Sequence, residues 1–137
     1  MPLPDSSFAV GVVARADGKG RAYGVFFGPR VKNEQAVDLQ SLRPEAGALY
    51  CKFGDHGLYT GRWRIIGQVP LWSRREWRLP LFSRRHDNDA VRYVTEYDDD
   101  LNVRTERIVS AVEARGLPED AQFGSAVVEA KLERLLK

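Results

Sequence analysis

FAVGVVAR (residues 8–15) and RAYGVFFGP (residues 21–29) flank the turn sequence DGKG (residues 17–20). Both flanking runs are rich in β-branched and aromatic residues, which favour strands. Two such runs on either side of an Asp-Gly turn predict an antiparallel β-hairpin. Gly11 and Gly24 lie inside the runs, where glycine marks a bulge or a close backbone approach, so we expect a coiled or barrel-like sheet.

Four further strands are expected from composition and alternation. Residues 48–53 are rich in aromatic and β-branched side chains, and residues 58–59 and 63–67 are expected to form the next strand, with a kink at Gly61. Residues 91–97 alternate cleanly between two faces. Residues 103–108 can return as another strand after an acidic turn at residues 98–100. Pairing of these neighbours in sequence predicts a mostly antiparallel arrangement.

The segment between Pro70 and Pro80 is not expected to be regular. Proline lacks the N–H that a helix interior or a central strand needs. Residues 70–82 are therefore predicted to be loop or edge strand.

The last element is predicted to be a helix. Apolar residues recur at helical spacing over residues 125–136, and Ser125 is a suitable N-cap. With the strands, this predicts an α+β fold: a mostly antiparallel, coiled or barrel-like sheet with a C-terminal helix. We expect a single domain over residues 1–137, in which residues 1–7 form a flexible N-terminus.

Composition sets the broad class of the protein. Its 137 residues are 43% hydrophobic, which is enough to bury one core without a metal or a disulfide. The single cysteine, Cys51, is expected to be a small buried hydrophobe rather than a reactive thiol. The first residues lack the pattern of a signal peptide, and no apolar run has the length of a membrane span. We therefore expect a soluble, cytoplasmic protein with no membrane partner.

Charge is unevenly distributed along the chain, although the net charge is only +2. Residues 61–86 carry seven arginines and one acid, whereas residues 87–137 carry seven basic residues and twelve acids. These segments either neutralise each other inside the fold or form separate surface patches. The sequence leaves both arrangements open.

No catalytic or metal-binding template is complete. The glycines of residues 18–20 belong to a hairpin turn, and His56 and His86 lack the spacing of a metal-binding pair. Asp55 and His56 could orient a base beside a nucleophile, but a turn aspartate beside a solvent-facing histidine is the simpler interpretation. The acids of residues 98–100 lack the alternating ligands of a calcium loop. We expect no catalytic residue, no metal and no cofactor.

All three tryptophans lie among the arginines of residues 61–86. Tryptophan and arginine dominate binding hot spots because each offers a large, stiff contact surface with a polar handle. The candidate binding residues come from this stretch and from the turn before it: Trp72, Arg74, Arg75, Trp77, Arg78, Arg62, Arg64, Asp55 and His56.

The stretch is expected to divide between core and surface. Trp63 alternates with its neighbouring arginines and is expected, with residues 65–67, in a core strand. Trp72 and Trp77 lie in the proline-bounded loop, where core and interface placements are equally open, and this part is expected to be the exposed one. Arginines beside aromatics also suit single-stranded nucleic acid, although the overall balance of charge argues against that partner.

Several short stretches follow one another in an order that resembles a known family. They are VVAR (12–15), DGKG (17–20), YGVFFGP (23–29), FGDHGL (53–58), GRWRIIG (61–67), WRLPLF (77–82), YDDD (97–100), LP (117–118), GS (124–125) and VE (128–129). Their order and spacing resemble the immunity protein 26 family, from about residue 8 to the C-terminus.

The resemblance implies a small, mostly β bacterial protein of a polymorphic toxin system, in which a cell binds and neutralises a toxin domain of its own kind. The implied partner is a cognate toxin domain, and the implied role is a non-catalytic immunity protein. The sequence leaves open whether the basic stretch or the acidic C-terminal third meets the toxin. It also leaves the oligomeric state open.

Two other functions are alternatives. One is a nucleic-acid-binding module that uses the tryptophans and arginines. The other is a phosphotriester hydrolase, because a phosphotriesterase label is attached to part of the family. That hydrolysis needs a metal-activated water or a strong nucleophile, and the chain has no evident ligand set.

Overall fold

A computed structural model describes residues 1–136, which form seven strands, two α-helices and three single-turn 3₁₀ helices. The strands are β1 (Phe8–Ala16), β2 (Arg21–Val31), β3 (Leu49–Gly54), β4 (Phe82–Arg85), β5 (Val91–Tyr97), β6 (Val103–Ser110) and β7 (Gln122–Phe123). The α-helices are α1 (His56–Tyr59) and α2 (Ser125–Leu135), and the 3₁₀ helices are Glu34–Ala36, Leu39–Ser41 and Pro44–Ala46.

The strands form two sheets. The first sheet has the order β1-β2-β3-β7 and the second β4-β5-β6. All neighbouring strands are antiparallel except β3 and β7, which run parallel. The predicted α+β class, mostly antiparallel with a C-terminal helix, is confirmed. Within residues 1–136 neither sheet closes into a barrel, so the strands form two open sheets.

The hairpin of β1 and β2 forms as the sequence predicts. The carboxylate of Asp17 holds its turn by accepting hydrogen bonds from the N–H groups of Lys19 and Arg21, at 2.7 and 3.0 Å. Inside β1, a Cβ on Gly11 would lie 2.5 Å from a ring carbon of Phe26. The close approach inferred from this glycine is therefore real, and the aromatic ring occupies the space that a side chain would need.

The first sheet is buried on both faces, because successive residues of a strand point to opposite sides. On one side Phe26 packs against Trp63, with ring centroids 6.1 Å apart, in a core completed by α2. On the other side Phe27 packs against Trp77, also at 6.1 Å, in a core shared with the second sheet. Two tryptophans thus occupy opposite faces of the same sheet.

Cys51 lies in β3 and is completely buried. Burial raises the pKa of its thiol to about 12. The thiolate is the reactive form of cysteine, so this thiol is held in its inert form. The prediction of a small buried hydrophobe is confirmed.

The strand predicted over residues 58–67 is wrong. Its first residues belong to α1, and Gly61 then turns the chain with a φ of 80°, a left-handed conformation that favours glycine. The N–H of Trp63 donates to the carbonyl of Gly57 at 2.9 Å, a local bond that stands in place of a strand ladder. Trp63 itself is 4% exposed, as its predicted core position requires.

The predicted C-terminal helix is confirmed as α2, but Ser125 is not its N-cap. Gly124 takes the cap position. The hydroxyl of Ser125 instead accepts a hydrogen bond from the N–H of Gly57 at 2.9 Å. The Ser125 hydroxyl, which the sequence predicts to cap α2, therefore links α2 to α1 instead.

The flexibility of residues 1–7 stays a prediction; residues 1–3 pack against the first sheet, whereas residues 4–6 are exposed. Leu3 is buried in the core, and Pro2 forms an antiparallel bridge with Phe8. The N–H of Ala9 donates to the carbonyl of Met1 at 2.8 Å. These contacts cover the outer edge of β1 at its beginning.

A charged pair fastens the loop after α1 to α2. Arg62 donates to the carboxylate of Glu129 from Nε at 3.0 Å and from Nη2 at 2.6 Å, and the indole N–H of Trp63 donates to it at 3.4 Å. The bonds from Arg62 hold the pKa of Glu129 below its ordinary value of 4.5. A carboxylate with a lowered pKa stabilises the folded state above its unfolded pKa and loses that contribution as pH falls through its folded pKa.

Glu129→Gln should lower the free energy of unfolding at pH 7 by about 1–2 kcal/mol, because it removes charged hydrogen bonds from a partly solvent-facing pair. The difference from the native chain should shrink as the pH falls below 4.5 and vanish below the lowered pKa of the folded state, where the native carboxylate also loses its charge. Urea unfolding at pH 7 and pH 3 measures both effects. Glu133→Gln, at an exposed position of α2, is the control and should change neither value.

Trp77→Ala should destabilise the fold by about 3–5 kcal/mol, because it empties a buried aromatic site between the two sheets. Trp72→Ala is the matched control and should cost less than about 1 kcal/mol, since this ring is more than one-third exposed. Chemical denaturation of both variants checks the difference. Equal losses would contradict the placement of the two rings.

Candidate functional site

The three tryptophans of residues 61–86 occupy different environments. Trp63 and Trp77 are 4% and 1% exposed, whereas Trp72 is 36% exposed. The expectation that Trp77 lies on the exposed part of the stretch is wrong, because its ring fills the core against Phe27. As predicted, the chain between Pro70 and Pro80 is irregular, but an irregular backbone does not keep an aromatic side chain at the surface. Trp72 is the tryptophan available to a partner.

The arginines of the same stretch are largely neutralised. Five of the seven form salt bridges: Arg62 with Glu129, Arg64 with Glu34, Arg74 with Asp99, Arg84 with Glu106, and Arg85 with Asp89. Four of these acids belong to residues 87–137. Of the two arrangements that the charge distribution left open, pairing with acids within the fold accounts for these five arginines. Arg75 and Arg78 are exposed and have no salt bridge within residues 1–136.

Arg15, which sequence reasoning did not single out, organises the chain around Trp72. Its guanidinium is buried and lies 5.8 Å from the Trp72 ring centre. It donates to Asp99 at 2.8 Å and to the carbonyls of Trp77 and Arg74 at 3.0 and 3.2 Å. The only sign of this role in the sequence is an arginine at the end of an apolar strand. The sequence does not reveal its partners, because they lie about sixty and eighty-four residues away.

Asp55 and His56 lie where β3 passes into α1, and Asp55 is held there by backbone bonds. The N–H of Asp55 donates to the carbonyl of Gly20 at 2.9 Å, and its own carbonyl accepts from Tyr59 at 2.9 Å. His56 is exposed at the start of α1. No side-chain hydrogen bond joins the two residues in the described part of the chain, which agrees with the turn interpretation. Their place among the binding residues stays a prediction.

The acidic turn at residues 98–100 is held by local bonds. The carboxylate of Asp98 accepts from the N–H groups of Asp100 and Asn102 at 2.9 and 3.0 Å. Asp99 pairs instead with Arg15 and Arg74. In residues 1–136, no group of three or more His, Cys, Asp or Glu side chains is placed to hold a metal ion.

A buried polar cluster joins the two sheets. Lys52 of β3 donates to Asp120 at 2.7 Å, and the hydroxyl of Tyr97 of β5 donates to the same carboxylate oxygen at 2.5 Å. Burial opposes the charge of Asp120, but these bonds hold its pKa below the ordinary value. The ammonium also lies 3.8 Å from the Tyr97 ring centre. With its members paired to one another, this cluster is a junction between the sheets.

An open groove of about 690 Å³ runs along the outer edge of β1. One wall is residues 10–16 of β1, and the other is formed by residues 64–72, which pass outside the strand. Leu39, Leu42 and Leu58 complete the apolar lining. The volume lies within the range of ligand-binding pockets.

The segment of residues 64–72 is anchored at its flanks and solvated between them. Trp63 and Trp77 are buried on either side, whereas Ile65 is 78% and Leu71 94% exposed. No backbone–backbone hydrogen bond joins residues 64–68 to the rest of the described chain. The expectation that residues 65–67 form a core strand is therefore wrong. These residues present apolar side chains and unpaired backbone groups beside the groove.

The groove has basic but no acidic lining among the residues that the structure describes. Arg15 and Arg64 are its charged lining residues. Arg15 is engaged in the core, whereas the Arg64 side chain is 73% exposed and pairs with Glu34 at 2.8 Å. An apolar wall with an exposed arginine suits a partner segment that is apolar and carries a carboxylate.

Across residues 1–136, no helix combines the length and apolar character that crossing a membrane would require.

Comparison with known proteins identifies a family. The model of the family described as immunity protein 26 matches residues 1–94. This range contains the hairpin, the groove and the tryptophan–arginine stretch, and ends within β5. No curated protein and no solved structure gives a significant match. Because the family model covers more than half of the chain, the protein belongs to the immunity protein 26 family.

Proposed function

We propose that this protein protects a bacterial cell by binding and neutralising a cognate toxin domain in the cytoplasm, without catalysis. Membership of an immunity protein family supports a toxin partner. The observation that carries the choice of surface is the groove beside β1, with exposed apolar side chains on its outer wall. Binding there would act by occluding the toxin or by holding it in an inactive shape.

The groove surface has the composition of an interface core. Exposed Ile65, Ile66, Leu71 and Trp72 lie on one side of it, and half-exposed Val13 lies on the other. Contiguous apolar side chains of this kind mark interaction sites on soluble proteins. A complex of standard size would bury on the order of 1,600 Å² in total, so the contact would extend beyond the groove.

The rim of this surface is basic. Arg75 and Arg78 follow Trp72 in the chain, are exposed, and have no salt bridge within residues 1–136. Arg74 is 65% exposed despite its bond to Asp99. An acidic toxin surface would be drawn to this rim, and opposite charge chiefly accelerates association.

A second apolar face is less suitable. Val103, Ile108 and Val112 are also exposed, on and after β6. They are interspersed with charged residues, of which Arg104 and Arg107 pair with nearby acids. The groove beside this face is smaller, about 320 Å³, and there Val103 has polar neighbours such as Lys52 and Asn102. The face therefore supplies a matched control for substitutions at the groove beside β1.

Ile65→Glu should weaken toxin binding by at least about tenfold, since it places a charge in the apolar part of the interface. The control is Ile108→Glu, which makes the same chemical change at an exposed position of β6 and should leave affinity within about threefold. Both are measured by calorimetry with the cognate toxin domain. Rescue of cell growth on co-expression of that toxin domain gives the functional readout.

Failure of the native chain both to bind that toxin and to rescue growth would contradict the proposed function. Binding that is lost equally in the two glutamate variants would instead contradict the choice of the groove surface.

Arg74→Glu together with Arg75→Glu should slow association with the toxin by about tenfold at low salt, and by less at high salt. The control double variant, Arg104→Glu with Arg107→Glu, reverses the same number of charges on β6. Association rates at two salt concentrations distinguish the surfaces. An unchanged association rate in the first variant would contradict a role for the basic rim in toxin binding.

A further inference from the structure

The outer edge of β1 has backbone groups that the hairpin does not use. In the first sheet β1 pairs with β2 only. The carbonyl of Phe26 in β2 accepts from the N–H of Ala48, on the β3 side. Gly11 lies opposite Phe26 in the register, so its N–H and carbonyl point away from β2. The same alternation turns the backbone groups of Val13, opposite Gly24, outward.

The chain itself shows that this edge accepts another strand. Ala9, two residues before Gly11, faces the same way, and both its backbone groups are paired with Met1. The N–H of Ala9 donates to the Met1 carbonyl at 2.8 Å, and its carbonyl accepts from the Met1 nitrogen at 3.1 Å. A short antiparallel ladder therefore begins at Ala9 and stops before Gly11 and Val13.

The groove lies where that ladder stops. It follows residues 10–16, a length of about 20 Å at strand spacing, which is enough for a segment of five to seven residues. In the described chain, no backbone–backbone hydrogen bond links residues 64–68 to this edge. The outer wall thus borders the edge without pairing with it.

The edge also lacks the usual protection against pairing. Natural edge strands carry lysine, proline or inward-pointing charge, or are covered tightly. Within β1 the charged residue is Arg15, and its guanidinium is bound in the core. Gly11 and Val13 are exposed at the groove. An apolar, undefended edge beside a groove with the exposed Arg64 suits an extended segment that has alternating apolar side chains and a carboxylate able to share Arg64 with Glu34.

We propose that the toxin domain inserts such a segment into the groove, where it adds as a strand to β1 through the backbone groups of Gly11 and Val13. Apolar side chains of the segment pack against Ile65 and Ile66, and its carboxylate meets Arg64. This inference rests on the proposed function and specifies how the toxin is held. Strand addition supplies affinity from backbone bonds, while the alternating contacts select the segment.

Amide hydrogen exchange tests the proposal most simply. In the complex with the cognate toxin domain, the Gly11 and Val13 amides should exchange at least tenfold more slowly than in the free chain. The Val10 and Val12 amides, which face β2, should be protected already and change little. A complex that leaves the Gly11 and Val13 amides unaltered would overturn strand addition while leaving the proposed function standing.

Two other outcomes would also overturn strand addition by the toxin. Protection of these two amides at high concentration of the chain alone, with dimerisation, would assign the edge to a second copy and overturn the proposal. Absence of any complex, with no rescue of growth, would overturn the proposed function and this inference with it.

Val13→Pro provides a second measurement, because it removes an outward N–H and leaves the bonds to β2 intact. Affinity for the toxin domain should fall at least tenfold. Val13→Thr keeps the N–H and a β-branched side chain and should stay within threefold of the native chain. Equal affinities of the two variants, each with a native circular dichroism spectrum, would overturn the proposal.

Discussion

Burial of Trp63 and Trp77 on opposite faces of the first sheet is the constraint on which the candidate site depends. Each ring packs against one of two adjacent aromatic residues of β2, and adjacent strand residues point to opposite sides. The thirteen residues between the tryptophans must therefore pass around an edge of the sheet. They pass around β1, and the space they leave beside it is the groove.

This constraint explains why the most apolar part of the linking chain is exposed. Residues 65–67 and 71–72 cannot join either core, because their flanks are fixed on opposite faces and their path lies outside the sheet. The exposure of these residues is thus a consequence of the burial of Trp63 and Trp77. Because buried tryptophans hold both of its flanks, this segment has fewer conformations to lose on binding a partner than a free loop has, which reduces the ordering cost.

The sequence predicts the local elements and misses the distant contacts. The hairpin, β3, β5, β6 and α2 follow from alternation, turn chemistry and helical spacing, which act over a few residues. The strand over residues 58–67 fails because Gly61, where the sequence predicts only a kink in a strand, turns the chain with a left-handed φ after a short helix. The prediction that Trp77 is exposed is wrong for a similar reason, since its packing partner Phe27 lies fifty residues earlier in the chain.

The candidate site is only partly predictable for the same reason. The sequence locates Trp72 and the arginines, but not the bond from Arg15 to Asp99 or the pairing of five arginines with distant acids. Nor does it show that β1 is an edge strand, which depends on the order of strands in the sheet.

A crystal structure of the complex with the toxin domain would decide where the toxin binds. We expect a toxin segment lying in the groove against β1. A toxin bound to the face of β6, with the groove open to solvent, would contradict the proposed binding mode.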